Sequence, residues 1–380
     1  MKGSVIVLGG GMVGSTIAVD LAQNDYAVTV ADLRPEALAR LANEHGLRTE
    51  VADLGSPEAV ERAVAGFDLV VGALPSFLGL QTMRAVIEAR RPYCDISFLE
   101  EDPIDLSPLA EQRGVTVVYD AGVGPGMSNM LVGWAAAQLD VCERVEIYVG
   151  GLPAVRRWPF QHRTAFSPID LIEEYTRPAR LVEHGKIVVR EALSEPELMD
   201  FPEVGTLEAF NTDGLRSLVR THPHVPFMRE KTLRYPGHVE LMRVFREAGF
   251  FSKETIAVNG QRVRPLDVTS ALLFPKWEYE EGEADITVMR VVVDGTRGEQ
   301  HVRYSWHMLD RYDAETDTRS MSRTTGFTAS IMAMLMLEGR FVKPGVHPPE
   351  IPALEPGLLD TMLSEQEKRG VCYEPMVQLR

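Results

Sequence analysis

Val5-Ile6-Val7-Leu8-Gly9-Gly10-Gly11-Met12-Val13-Gly14 decides how the N-terminal part of this chain folds. Four consecutive apolar residues read as a strand buried on both faces, the kind found in parallel sheets. A Gly-x-Gly-x-x-Gly string follows at once, and apolar residues at helical spacing (Val13, Ile17, Leu21) open behind it. Strand, glycine loop and helix in that order form the context in which the motif cradles a pyrophosphate. Gly9 allows the tight turn, Gly11 admits the phosphates to the backbone, and Gly14 lets the helix lie close to the sheet. The anion then sits at the positive end of the helix, with Met12 and Val13 completing the loop. Asp32 ends the next expected strand, 18 residues past Gly14, where a carboxylate accepts the adenosine ribose hydroxyls. A carboxylate there repels a 2′-phosphate, so NAD is expected over NADP, although Arg34 could meet such a phosphate. Leu33 and Arg34 belong to the same cofactor-lining stretch. Asp53 is a candidate for the adenine side or for capping its own loop.

Working outward, short apolar strands alternate with helices. Strands are expected over 27–31, 48–52, 69–72, 93–95 and 115–119, and helices over 35–45, 56–65, 80–89 and 106–113. This alternation predicts βαβ units and a doubly wound parallel sheet, an α/β fold. Ligands of such sheets lie beyond the carboxyl ends of the strands. That places Ala73, Leu74 and Pro75, then Asp95, then Asp120, Ala121, Gly122 and Val123, along the cofactor. From Val145 the pattern changes to longer strands mixed with Pro-, Arg- and His-rich loops, which predicts a second, α+β domain on a mixed or antiparallel sheet.

Composition bounds the function classes. The chain has 380 residues, a soft prior for two or three domains, and 39 basic against 55 acidic side chains give a net charge of −16. That balance disfavours phosphate-tracking nucleic-acid binding and anionic membrane surfaces. No apolar run reaches the roughly 18 residues of a membrane span. The three cysteines, Cys94, Cys142 and Cys372, are scattered without a CxxC pair, which suits a reduced, cytoplasmic protein. No His/carboxylate set has metal-ligand spacing, so no metal is expected.

Four further strings occur in order: Asp120-Ala-Gly-Val-Gly-Pro-Gly-Met127, Tyr148-Val-Gly-Gly-Leu-Pro153, Leu207-Glu-Ala-Phe-Asn-Thr212 and Lys231-Thr-Leu-Arg-Tyr-Pro-Gly-His238. Together they resemble the saccharopine dehydrogenase-like family, and most closely its lysine 6-dehydrogenase branch. The resemblance spans nearly the whole chain. It implies a Rossmann-type NAD-binding domain, residues 1–126 plus 325–380, interrupted by a substrate-binding and dimerisation domain, 127–324. It also implies a homodimer acting on a small amino-acid substrate. The chemistry implied is oxidation of the ε-amine carbon of L-lysine, or of a close ω-amino acid, with release of ammonia. The alternatives are a saccharopine-type C–N oxidoreductase and a non-catalytic NAD-binding module. Saccharopine reductases carry an Asn-Arg-Asp string where this chain has Thr212-Asp213-Gly214. An acid at Asp213 repels a dicarboxylate arm and favours a substrate ending in an amine.

The acid–base candidates are His238, whose ordinary pKa suits proton transfer near neutrality, and Asp95 and Asp120, which end strands at the expected nicotinamide edge. Their structural alternatives are a turn-capping His and helix N-caps. His162 is a weaker candidate. Thr232 matches the family's substrate-carboxylate contact, and Arg234, on the same strand face, supplies charge by proximity. Asn211 and Thr212 are candidates for orienting the amino group.

Overall fold

The computed structural model describes residues 2–164 and 168–379. It divides into two compact units, Met1–Ala137 with Met321–Cys372, and Gln138–Ser320 with Tyr373–Arg380. The division differs from the expected boundaries at three places, by four residues at the start of the late helix (320/321 against 324/325) and by more at the other two. The helix after the Gly-rich loop, Met127–Ala137, stays with the first unit. There a Cβ on Gly133 would lie 2.9 Å from the Glu350 carbonyl oxygen, so the backbones touch. At the other end Tyr373–Leu379 leaves the first unit, because it hydrogen-bonds as a strand in the second unit's sheet.

The first unit is the α/β layer that the sequence predicts. Strands β1 (Ser4–Leu8), β2 (Ala27–Asp32), β3 (Arg48–Val51), β4 (Leu69–Gly72), β5 (Tyr93–Asp95) and β6 (Thr116–Val118) are all parallel. Their order is β6-β5-β4-β1-β2-β3, with the strand Gly345–His347 added beyond β6. The chain moves one way from β1 to β3 and then jumps back to β4, so the topological switch point lies at β1. Val5 to Leu8 are 0% exposed, and burying each such side chain stabilises by roughly 1.5–3 kcal/mol. Helices α1 (Met12–Gln23), α2 (Pro35–His45), α3 (Pro57–Val64) and α4 (Ser76–Glu88) connect these strands. The last begins four residues before the expected start, since Pro75 serves as its N-cap residue.

The late helix Ser320–Leu337 packs on the same sheet. Gly326 lies so close to α1 that a Cβ would sit 3.1 Å from the Thr16 methyl, and the Ala329 carbonyl accepts from the Cys94 thiol at 3.7 Å. A buried ionic knot fastens this return. Arg369 Nε donates to Asp20 Oδ1 at 2.7 Å and Arg369 Nη1 to Glu365 Oε2 at 2.7 Å, while Ser330 Oγ donates to Asp20 Oδ2.

The second unit is built on a mixed sheet. Strands β7 (Val141–Pro153), β8 (Ala179–Glu183), β9 (Lys186–Arg190), β10 (Glu197–Phe201), β11 (Gly205–Asn211) and β12 (Phe227–Arg234) are followed by a small hairpin, β13 (Ile256–Val258) with β14 (Gln261–Val263). The long strands β15 (Asp285–Arg297) and β16 (Gln300–Arg311) come next. The sheet runs β10-β11-β12-β7-β15-β16 and ends on Tyr373–Leu379, with β8 and β9 off this path. Only the β12–β7 pair is parallel among the described pairs of this sheet. The helices Pro168–Thr176, His238–Glu247 and Pro265–Trp277 contribute to a core of Leu171, Tyr175, Phe210, Met242 and Trp277.

Replacing Arg369 by Met leaves the Asp20 carboxylate buried without its cation, held only by the Ser330 hydroxyl and a long contact from Asn24 Nδ2 at 3.5 Å. Losing one partner of a buried pair costs about 3–5 kcal/mol. Urea unfolding of Arg369→Met is expected to show a loss of that order, and a loss under about 1 kcal/mol would refute the role of this knot.

Candidate functional site

Each unit carries one cluster of candidate residues. In the first, the glycine loop leaves β1 at the switch point. Gly9 has φ +105°, and a Cβ there would lie 2.3 Å from the Ala73 carbonyl oxygen; one on Gly14 would lie 2.0 Å from the Gly9 carbonyl oxygen. No other residue permits either approach. Around Gly11 the space is open: a Cβ there would have Arg34 Nη2 as its nearest neighbour, at 3.7 Å. Gly11 also caps α1 without a side-chain hydrogen bond. The first N–H groups of α1 are therefore open to an anion, as a dinucleotide pyrophosphate requires.

Asp32 is the last residue of β2 and is buried. Its Oδ2 accepts from the Gly10 N–H at 2.7 Å, and its Oδ1 accepts from the Arg34 N–H at 2.8 Å and from Arg34 Nε at 3.2 Å. Burial opposes its ionisation, but these bonds outweigh burial and hold the carboxyl below its ordinary range. Met12 and Leu33 are exposed beside the loop and Val13 is half-buried. Asp53 is committed locally, accepting from the Gly55 N–H at 2.9 Å, which is a turn-capping arrangement.

Ala73, Leu74 and Pro75 follow β4 and stand at the same edge. The Ala73 N–H donates to the Leu8 carbonyl at 2.8 Å. Ala121, Gly122 and Val123 are buried, with the Ala121 N–H donating to the Asp95 carbonyl at 2.9 Å. Asp95 itself is fully buried. Its Oδ1 accepts from Tyr93 Oη at 3.1 Å and Ser97 Oγ at 2.9 Å, while Oδ2 has no hydrogen-bond partner. Burial, only partly offset by the hydrogen bonds, raises its pKa to about 7. Asp120, with φ 52°, is buried where β6 ends.

The second cluster centres on β12. Alternation puts Glu230, Thr232 and Arg234 on one face. Phe210 is registered opposite Thr232, so Thr212, two residues on, reaches the same face. Thr212 Oγ1 lies 2.8 Å from Thr232 Oγ1 and donates to Glu230 Oε2 at 2.6 Å; the Gly214 N–H donates to the same oxygen at 3.0 Å. Burial, aided by the nearby Glu174 and Asp213 and opposed by the bonds from Thr212 and Gly214, raises the Glu230 carboxyl to about 8. Arg234 is buried and donates from Nη2 to Glu174 Oε2 at 2.7 Å.

Three expectations are corrected here. Asp213 presents no free charge, because Arg180 grips it with Nε at 2.8 Å from Oδ1 and Nη2 at 2.8 Å from Oδ2. Asn211 is registered opposite Lys231, on the other face of the sheet from Thr232. It donates to Ser194 Oγ and Glu195 Oε2, each at 3.1 Å. His238 is 0% exposed and has both ring nitrogens engaged, Nδ1 with the Phe160 carbonyl at 2.7 Å and Nε2 with Tyr175 Oη at 2.8 Å. Only Nδ1–H can donate to a carbonyl, so Nε2 accepts the tyrosine proton. Burial and the Arg234 charge push its pKa down to about 3. That is the environment of a structural, neutral histidine. His162 is buried against it, ring centroids 5.0 Å apart, with neither nitrogen hydrogen-bonded.

Glu230, Glu174, Arg180 and Tyr175 were not anticipated. Glu230 was within reach, because the alternation that pairs Thr232 with Arg234 extends one step back. Among the described residues no group of three or more His, Cys, Asp or Glu could hold a metal ion, and no helix is long and apolar enough to cross a membrane.

Residues 5–118 match the family model described as the saccharopine dehydrogenase NADP binding domain, and residues 122–371 match the saccharopine dehydrogenase C-terminal domain. The chain belongs to the saccharopine dehydrogenase family. Its N-terminal part is a pyridine-nucleotide-binding domain of that family, and the open loop at Gly11, the uncapped helix and Asp32 fit that cofactor. The mouse mitochondrial alpha-aminoadipic semialdehyde synthase is 25% identical over 70% of this chain, which spans 30% of that longer protein. The saccharopine dehydrogenase [NADP(+), L-glutamate-forming] of Pyricularia oryzae is 21% identical, covering 98% of this chain and 99% of that protein. The solved structure of apo saccharopine dehydrogenase (L-Glu forming) from Saccharomyces cerevisiae superimposes with a TM-score of 0.79 at 18% identity, over 99% of this chain and 100% of that one. The last likeness establishes the fold.

Because the folded-state pKa of Glu230 is raised to about 8, the stability its neutral form confers is complete below the unfolded value of about 4.3. It is lost as pH rises through about 8. Glu230→Gln should therefore gain on the parent protein progressively from about pH 4.5 to about pH 8, by up to a few kcal/mol. Paired unfolding curves across this range would show it, and a constant difference would refute a neutral Glu230.

Proposed function

We propose that this protein is an NAD-dependent dehydrogenase that oxidises the ε-amine carbon of L-lysine, or of a close ω-amino acid. The semialdehyde forms, cyclises and ammonia is released. One observation carries the choice of substrate. Among the described residues, two cations of this neighbourhood are each matched by a carboxylate, Arg180 by Asp213 at 2.8 Å and Arg234 by Glu174 at 2.7 Å, while Arg234 Nε keeps no hydrogen-bond partner. Lys231 lies on the opposite strand face and pairs with Glu197 at 3.0 Å. A substrate with several carboxylates needs unspent guanidinium groups to grip it, and a diamino acid with one carboxylate does not. The reason differs from the one the sequence suggested. Asp213 acts by occupying Arg180, and its own charge is neutralised.

The reaction removes hydride from carbon and a proton from nitrogen to give an imine. Water then adds and ammonia leaves. A bound nicotinamide would supply acceptance of the hydride. The residues placed to hold the dinucleotide are Gly9, Gly11 and Gly14 with the first turn of α1, and Asp32 for the ribose. NAD is favoured because the ionised Asp32 would face a 2′-phosphate, while Arg34 is turned onto Asp32. For the proton we assign Asp95, whose Oδ2 has no partner and whose pKa of about 7 suits exchange near neutrality. The second reading, a saccharopine-type C–N oxidoreductase, draws support from the name of the Pyricularia oryzae relative.

The test is direct. Purified protein is mixed with NAD⁺ or NADP⁺ and with L-lysine, L-ornithine or saccharopine, and the NADH absorbance band is followed. Reduction of NAD⁺ with lysine is expected; a preference for saccharopine would move the assignment to the second reading, and no reduction with any of them would sink both. Asp95→Asn should lower kcat roughly a hundredfold or more and remove the ionisation near pH 7 from the rate profile. The KM for NAD⁺ should stay unchanged, and an unaltered pH profile would exclude Asp95 as the proton acceptor.

A further inference from the structure

The Thr212–Thr232 pair has a direction. A threonine hydroxyl owns one proton and two lone pairs. The Gly214 N–H donates to Glu230 Oε2 at 3.0 Å, and a backbone amide cannot reverse its role. Oε2 is therefore an acceptor, and a proton on this carboxyl resides on its other oxygen. Thr212 Oγ1, 2.6 Å away, must give its proton to Oε2. Having spent that proton, it can only accept from Thr232 Oγ1 across 2.8 Å. Thr232, only 6% exposed, then has no proton left to offer and presents lone pairs alone. Gly214 is built for this arrangement, since a Cβ there would lie 2.3 Å from the Glu230 carboxyl carbon.

We infer that Glu230 is a positioning residue that fixes the polarity of the Thr212–Thr232 pair, so that Thr232 receives the ammonium of an amino-acid substrate and not its carboxylate. This rests on the amino-acid reading above and departs from the expectation that Thr232 grips a carboxylate. A carboxylate oxygen at Thr232 would set lone pair against lone pair. An ammonium supplies the missing donor.

The experiment measures binding to the NAD⁺-loaded protein by titration calorimetry, with three probes. L-Lysine has both groups, cadaverine lacks the carboxylate, and 6-aminohexanoate lacks the α-ammonium. Thr232→Val and Glu230→Met are expected to weaken lysine and cadaverine by roughly tenfold or more, the worth of a hydrogen bond to a charged group, and to leave 6-aminohexanoate unchanged. Glu230→Gln, whose amide oxygen can accept from both Gly214 and Thr212, should keep the parent preferences; this separates polarity from folding. The inference is overturned if 6-aminohexanoate weakens with lysine while cadaverine does not, if Glu230→Gln behaves like Glu230→Met, or if none of the probes binds the parent protein. Lysine that binds with this preference yet is not oxidised would sink the proposed function and support the inference.

Discussion

The first unit depends on a contact that excludes every side chain. The loop leaving β1 presses Gly9 against the Ala73 backbone and Gly14 against the Gly9 carbonyl, at separations no Cβ could share. Because of that closeness α1 starts directly at the sheet edge with its first N–H groups uncapped. Asp32 then reaches the loop from β2 and accepts from Gly10. Phosphate site, ribose carboxylate and helix packing thus follow from one steric condition, and the parallel strand order places all of them at the switch point.

The second unit is organised by pairing of charge. Several of its buried carboxylates and guanidinium groups are paired: Asp213 with Arg180, Arg234 with Glu174, and Glu146 with Arg144 and Arg229. Burying ions costs several kcal/mol each unless geometry and hydrogen bonds compensate, and the bidentate Arg180–Asp213 contact meets that condition. Glu230, held by Thr212 and Gly214 and by no cation among the described residues, stays neutral until about pH 8. A neutral acid held by one hydroxyl and one amide determines direction more than charge.

What was legible follows physical range. Strand, glycine loop and terminal acid lie within about thirty residues of one another, and their spacing encodes their geometry, so six strands of the first sheet could be read one by one, while the seventh, Gly345–His347, joins from far along the chain and was not. The Thr232–Arg234 face was legible for the same reason, because a period of two is local. The partner of Asp213 was not, since Arg180 lies 33 residues away on another strand. His238 shows the opposite failure. Its residue type suggested proton transfer, and nothing local reveals that Tyr175 and Phe160 would take both ring nitrogens. The domain boundaries were misplaced where packing, and no turn signal, decides membership: Met127–Ala137 follows the glycine loop without a break, and the last strand follows the helix that ends near Lys368.

The path of the chain crosses from one unit to the other after Ala137, after Ser320 and after Cys372. Neither unit is a single stretch of sequence. Recombination with a relative at one breakpoint would therefore mix halves of two sheets, leaving Tyr373–Leu379 from one parent to complete strands from the other. Exchange of a whole substrate unit needs three coordinated junctions, so substitutions within the units are the simpler route by which this lineage can change its specificity.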